Sequence, residues 1–192
     1  MYKSYFNSFI VWIDGTYGVG KTAASNVLQK NYKPYDKGKF ILLESDYYYR
    51  NGLKKYKYIT GGVFPQNNHS FIIDFKQIIE KHASETNAVI IVTMALTMNE
   101  SKDNLLNYFI EAGYKNIHII LTADQETIVS RVNNSPETRD KSLAINNIEE
   151  YTKYLIDNYP DAEWVNTDGK SPSEVAESIA HIINRYVRIV ER

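Results

Sequence analysis

Short apolar runs alternate with longer segments of helical period along the chain. Phe9 to Ile13, Phe40 to Leu43, Ala88 to Val92 and Ile117 to Leu121 are nearly unbroken aliphatic or aromatic runs. All four are strand candidates, and the continuous run Ala88 to Val92 is that of a strand buried on both faces. Trp164-Val165 marks a short fifth strand. Lys21 to Gln29 reads as a helix. So does Asn67 to His82, with Phe71, Ile72, Phe75, Ile78 and Ile79 at spacings of three and four. Ser101 opens another helix, which turns Leu105, Leu106, Phe109 and Ile110 inward and stops at Gly113. Asp124 to Val132 and Ser142 to Tyr159 follow as helices, the second ended by Pro160. Ser171-Pro-Ser-Glu174 is a capping box with proline at the first helical position. Val175, Ile179, Ile182 and Tyr186 continue its stripe. Asp46 to Pro65 is polar and carries Gly61-Gly62, which predicts a loop with a short helix. Asn133 to Asp140 is polar with Pro136, a loop or lid signal. Strands separated by helices predict an α/β domain with a parallel sheet covered on both faces. No internal repeat or linker divides the chain, so one domain over residues 1–192 is expected.

Composition narrows the chemistry. The 192 residues include no cysteine, which excludes disulfides, thiolate metal sites and thiol nucleophiles. The net charge is −1 and no basic stripe is evident, so no nucleic-acid partner is expected. The longest apolar run, Ala88 to Leu96, contains Thr93 and falls far short of the roughly 20 residues that span a bilayer. The first residues lack a signal-peptide layout, which predicts a cytoplasmic protein without membrane attachment, as monomer or homodimer.

The informative motif is Gly15-Thr16-Tyr17-Gly18-Val19-Gly20-Lys21-Thr22. It satisfies G-x-x-x-x-G-K-[ST], the phosphate-binding loop, and lies between an apolar strand and a helix. Glycines let backbone N–H groups converge on phosphate oxygens, and the helix that follows offers its N-terminus to the anion. Lys21 reaches the β- and γ-phosphates, and the Thr22 hydroxyl ligates Mg²⁺. These residues predict ATP and Mg²⁺ as ligands. A glycine-rich strand-to-helix turn with no ligand is the plain alternative.

Phe9 to Thr22, FIVWIDGTYGVGKT, resembles the opening of the P-loop kinase group that includes nucleoside, nucleoside-monophosphate and shikimate kinases. It is similar above all to the tunicamycin resistance protein family of ATP-binding proteins, which begins with a W-I-[ND]-G-x-x-G-x-GKT run. Ile90 to Met94 and the stretch from Thr167-Asp168 through Val175 to Ile179 are similar to that family as well. The resemblance implies a three-layer P-loop fold of the nucleoside-monophosphate-kinase kind, with five parallel strands and a small lid. It also implies Mg-ATP binding. The acceptor region falls at about 46–82 and the lid at about 133–142.

Ligands of parallel α/β sheets bind at the carboxyl ends of strands. The second strand runs into Glu44-Ser45-Asp46, and in related kinases an acid at this place acts as base or steadies Mg²⁺. Asp46 is the first candidate for both roles, with Glu44 beside it; a helix cap is the competing reading of Asp46. Tyr47 and Arg50 are acceptor candidates, as are Gln66 and Asn67, the last also a plausible cap. The third strand ends in Thr93-Met94-Ala95, without the acid that many P-loop proteins carry there. Asp14 is either another carboxylate near the phosphates or a surface or turn residue. Glu126 to Arg139 resembles the lid of small kinases, in which arginines close over the transferring group; Arg131 and Arg139 match it, and a solvated basic turn is the alternative.

Two functions follow. One is an ATP-dependent phosphotransferase for a small hydroxylated acceptor, nucleoside-like or antibiotic-like. The other is an ATP-gated protein that confers resistance by sequestering a nucleoside antibiotic, or a nucleotide switch.

Overall fold

The computed structural model describes residues 8–35, 38–54, 64–85, 88–136 and 141–192. Five strands form one parallel sheet: β1 (Phe9–Asp14), β3 (Phe40–Glu44), β4 (Val89–Thr93), β5 (Lys115–Thr122) and β6 (Glu163–Asn166). Their order is β3-β4-β1-β5-β6, with the motif-bearing strand β1 at the centre. From β1 the chain crosses outward to the edge strand β3 and then travels back through β4 and past β1 to β5 and β6, so the ends of β1, β3 and β4 open a crevice beside the phosphate loop.

Side chains alternate across β1 and divide the core in two. Val11 and Ile13 pack with α1 (Lys21–Asn31) and α9 (Pro172–Asn184), through Ala24, Leu28, Val175, Ile179 and Ile183. Ile10 and Trp12 face the aromatic half, with Phe71 and Phe75 of α3 (His69–Glu85) and Phe109. Trp12 and Phe109 rings lie 5.8 Å apart, and Phe71 stacks on Phe75 at 5.2 Å. Such pairs add to the area they bury.

The five expected strands all form. Several local expectations are corrected. A short antiparallel ribbon of β2 (Tyr32–Pro34) and β7 (Ile189–Glu191) joins the end of α1 to residues late in the sequence. The short helix expected within the polar stretch 46–65 is α2, ten residues over Ser45–Lys54, and residues 55–63 of that stretch lie outside the described residues. The segment after β4 is α4 (Asn99–Ser101), a π-helical turn (Lys102–Asn107) and α5 (Tyr108–Glu111). The wider turn rotates the faces, so Leu105, Leu106 and Phe109 are buried but Ile110 is 52% exposed. The helix expected at 142–159 is broken at Asn147 into α7 (Lys141–Asn146) and α8 (Ile148–Asn158). The last helix begins on the expected capping box, with Ser171 Oγ accepting from the Glu174 N–H, but ends before Tyr186. Between β5 and α7 lies α6 (Gln125–Asn134). Among the described residues, no helix is long and apolar enough to cross a membrane.

Candidate functional site

The phosphate loop leaves β1 at Gly15, whose φ is 133°. A Cβ there would stand 2.5 Å from the Leu121 carbonyl oxygen, so both conformation and space require glycine. Gly20, with φ of 98°, is the N-cap of α1 and a Cβ on it would meet nothing within 4 Å. It brings no capping side chain, and no acidic residue lies in the first turn of α1. An anion is the natural partner of such a helix end. The Lys21 ammonium lies across the loop, donating to the carbonyls of Gly15 at 2.7 Å and Thr16 at 2.9 Å. Val19 is buried and anchors the loop to the core.

Thr22 turns its hydroxyl outward to donate to Glu44 Oε1 at 2.7 Å. Glu44 is the last residue of β3 and lies in register with Thr93 of β4. A carboxylate on the neighbouring strand thus stands beside the tip where β4 carries none. Thr93 is buried and its hydroxyl has no protein partner, as is true of Thr16 and Thr97. Thr93 lines a cleft here, so its hydroxyl is suited to a polar ligand. The Thr22–Glu44 pair supplies hard oxygen donors, and no group of three or more His, Cys, Asp or Glu suited to a metal occurs among the described residues. That set fits Mg²⁺, which keeps most of its waters and takes one or two protein ligands beside phosphate oxygens.

Two clefts meet here and share Tyr17, Lys21, Thr22 and Asp46. The first continues past Gly18 and Gly20 to Arg131 and Ser135. Arg131 donates to the Thr167 hydroxyl at 2.9 Å and to the Thr167 carbonyl at 2.8 Å, tying α6 to the loop after β6. Asp168 in that loop accepts the Asp124 N–H through both oxygens. Partial burial raises the Asp168 pKa, but hydrogen bonds from Thr127, the Asp124 amide and Asn166, with Arg131 nearby, outweigh it and hold the carboxyl low.

The second cleft runs past Glu44 and Thr93 to Phe64, Gln66, Leu143, Asn147 and Tyr151. Gln66, in the 3-10 turn Pro65–Asn67, is buried and hydrogen-bonded with Tyr151. Burial raises the Tyr151 pKa and Glu150 adds to it, so the phenol stays a neutral hydroxyl. Leu143, Asn147 and Tyr151 went unnoticed in the sequence. The break between α7 and α8 that turns them to the cleft leaves no local mark.

The other candidates lie elsewhere. Tyr47 is 58% exposed and packs edge-on against Tyr48; Arg50 is exposed and donates to the Asp46 carbonyl. Neither lines the two clefts. Asn67 Oδ1 accepts the Phe64 N–H and Asn68 Oδ1 accepts the Phe71 N–H, so both close turns. Arg139 and part of the expected lid, 137–140, lie outside the described residues. Asp14 is neither a surface nor an open turn residue: it is fully buried.

A strand-to-loop-to-helix phosphate site at the centre of a parallel sheet is matched over residues 3–157 by the family model described as the KAP family P-loop domain. The chain belongs to the KAP family of P-loop domains. Solved structures share the fold at low identity. The tunicamycin resistance protein of Deinococcus radiodurans is 20% identical, with a TM-score of 0.69, over 94% of this chain and 98% of that one. Shikimate kinase from Bacteroides thetaiotaomicron is 11% identical, with a TM-score of 0.60, over 92% and 98%. The APS kinase of Mycobacterium tuberculosis, solved with AMPPNP and APS, is 12% identical, with a TM-score of 0.59, over 92% and 98%. No curated protein matches the sequence. This KAP-family chain thus has the kinase-like P-loop fold that its first strand and loop resemble.

Proposed function

We propose that this chain is an ATP-dependent phosphotransferase acting, in the cytoplasm, on a small hydroxylated acceptor. The observation that carries the reading is the meeting of two clefts at Lys21, Thr22 and Asp46. One cleft suits a nucleotide and the other an acceptor, with the transferring group between them. In this reading Lys21 and the amides of residues 15–22 hold the triphosphate. Thr22 and Glu44 hold Mg²⁺, with Asp46 within the same cleft. The ion supplies charge neutralisation at the β- and γ-phosphates when bound. Asp46 takes the acceptor hydroxyl proton. Arg131 borders the nucleotide cleft, while Gln66, Asn147 and Tyr151 offer hydrogen bonds to the acceptor. The region 46–82 contributes Asp46 and Gln66 to the acceptor side. The test is a screen of nucleosides, sugars and hydroxylated antibiotics with Mg-ATP, read by product mass. A product heavier by one phosphoryl group supports the reading; ADP release indifferent to every acceptor counts against it.

A second reading is favoured by the tip of β4, where Thr93 replaces an acid, and by the likeness to a tunicamycin resistance protein. It is ATP-gated sequestration of a nucleoside antibiotic without transfer. Tight ATP-dependent binding of the antibiotic, recovered with unchanged mass, would favour it.

A further inference from the structure

Behind the phosphate loop, on the sheet face opposite α1, one carboxylate joins three elements. Asp14 Oδ1 accepts the Gly15 N–H at 2.6 Å and the Leu96 N–H at 2.9 Å. Its Oδ2 accepts from His118 Nε2 on β5 at 3.0 Å. The His118 ring stands edge-on to Tyr159, with centroids 4.6 Å apart, and the Tyr159 hydroxyl donates to the Leu96 carbonyl at 2.7 Å. Asp14 is fully buried, while the His118 side chain is 12% exposed, at a cleft of about 380 Å³ behind the sheet.

The first N–H of the phosphate loop therefore rests on a buried carboxylate. A phosphate chain bound in that loop brings several negative charges close to Asp14. Solvent and salt screen a buried charge poorly, so the two repel unless a proton reaches the partner of the carboxylate. Imidazole is the side chain that gains a proton near neutral pH. We infer that nucleotide binding draws a proton onto His118, so that Asp14 and His118 are positioning residues of the nucleotide site and its affinity rises as pH falls. The inference rests on the nucleotide reading above and adds a regulation to it.

The surrounding charges single out His118. Lys102, of the π-helical turn, donates to Asn158 at 3.0 Å and stands over the Tyr159 ring. Glu163 pairs with Arg185 at 2.9 Å, and Asp161 lines the same cleft. Burial pushes the Tyr159 pKa far up, Asp14 and Tyr154 add to it, and Asp103 adds less, so the phenol keeps its proton. Among the described residues, His118 is the titratable side chain hydrogen-bonded to Asp14. Its exposed edge on the cleft gives the proton a path from solvent. No bond other than that proton's is made or broken.

The experiment is calorimetric titration of the full chain with Mg-ADP at pH 7 in two buffers of different protonation heat. The wild type is expected to show a buffer-dependent heat, corresponding to a sizeable fraction of one proton taken up. Its affinity should rise about threefold from pH 8 to pH 6.5 beyond any change due to ADP itself. His118→Gln keeps an N–H for Asp14 Oδ2 and gains no proton. It should fold, bind ADP and lose both effects; His118→Asn serves if the glutamine variant does not fold. Buffer dependence equal in wild type and variant, or no uptake by the wild type, overturns the inference. Absence of any heat or thermal shift with Mg-ADP removes the nucleotide reading itself, and this inference with it.

Discussion

The two faces of β1 make an instructive contrast. On one, Val11 and Ile13 meet aliphatic side chains of α1 and α9. On the other, Ile10 and Trp12 meet aromatic rings, and Asp14 follows them into the same layer with His118 and Tyr159. The first face holds the phosphate-loop helix by area alone. The second combines packing with a polar chain that ends on Gly15 N–H. Stability and site geometry are thus separable on one side of the sheet and entangled on the other.

Substitutions can break that contrast at different depths. Phe75→Ala on the aromatic face should cost about 3–5 kcal/mol, measured by urea unfolding. Ile179→Val on the aliphatic face should cost only about 1 kcal/mol and leave nucleotide affinity unchanged. Equal losses of affinity from both would dissolve the distinction between the faces. Lys21→Ala should lower turnover about a hundredfold or more while the urea midpoint hardly moves. Unchanged turnover would contradict the assignment of the loop.

Smaller effects sharpen the roles of the two acids. Asp46→Asn should reduce transfer by roughly a hundredfold with ATP affinity nearly constant, as expected of a base. Glu44→Gln should instead raise the Mg²⁺ concentration needed for half-maximal activity. Exchange of these two signatures would exchange the two roles. Smallest is Ser171→Ala, which removes the cap of α9 and should cost about 1 kcal/mol. Hydrogen bonds from the Ser171 amide and hydroxyl hold Glu174 below its ordinary 4.5. The stabilisation from that carboxylate is therefore complete above pH 4.5 and fades as pH falls through its lowered folded value. A capping variant should show a shallower acid loss in thermal melts.

Much of the fold was legible for a physical reason. Parallel strands buried on both faces read as unbroken apolar runs, and the loop motif is contiguous, so both announce themselves locally. What escaped depends on neighbours in space. The β2–β7 ribbon has three residues per strand and pairs distant segments, leaving no periodic trace. The π turn at 102–107 shifts one residue in the helical count, enough to put Ile110 outside. Glu44 was visible as an acid at a strand end, but its contact with Thr22 follows from the sheet order. Asp14 and His118 are 104 positions apart and meet only because β1 and β5 pair with Trp12 opposite His118.

The ribbon has a consequence for how the molecule is made. α1, which presents Lys21, packs on the sheet and against α9 and is tethered at its far end by β7, so residues 172–191 complete its seat. Contacts between segments so far apart in sequence form late in folding, and a ribosome delivers their second halves well after the first. A chain stalled before Pro172 is expected to carry the complete phosphate-loop motif and yet retain no nucleotide. Ligand binding would then report that residues 172–191 have been made and docked.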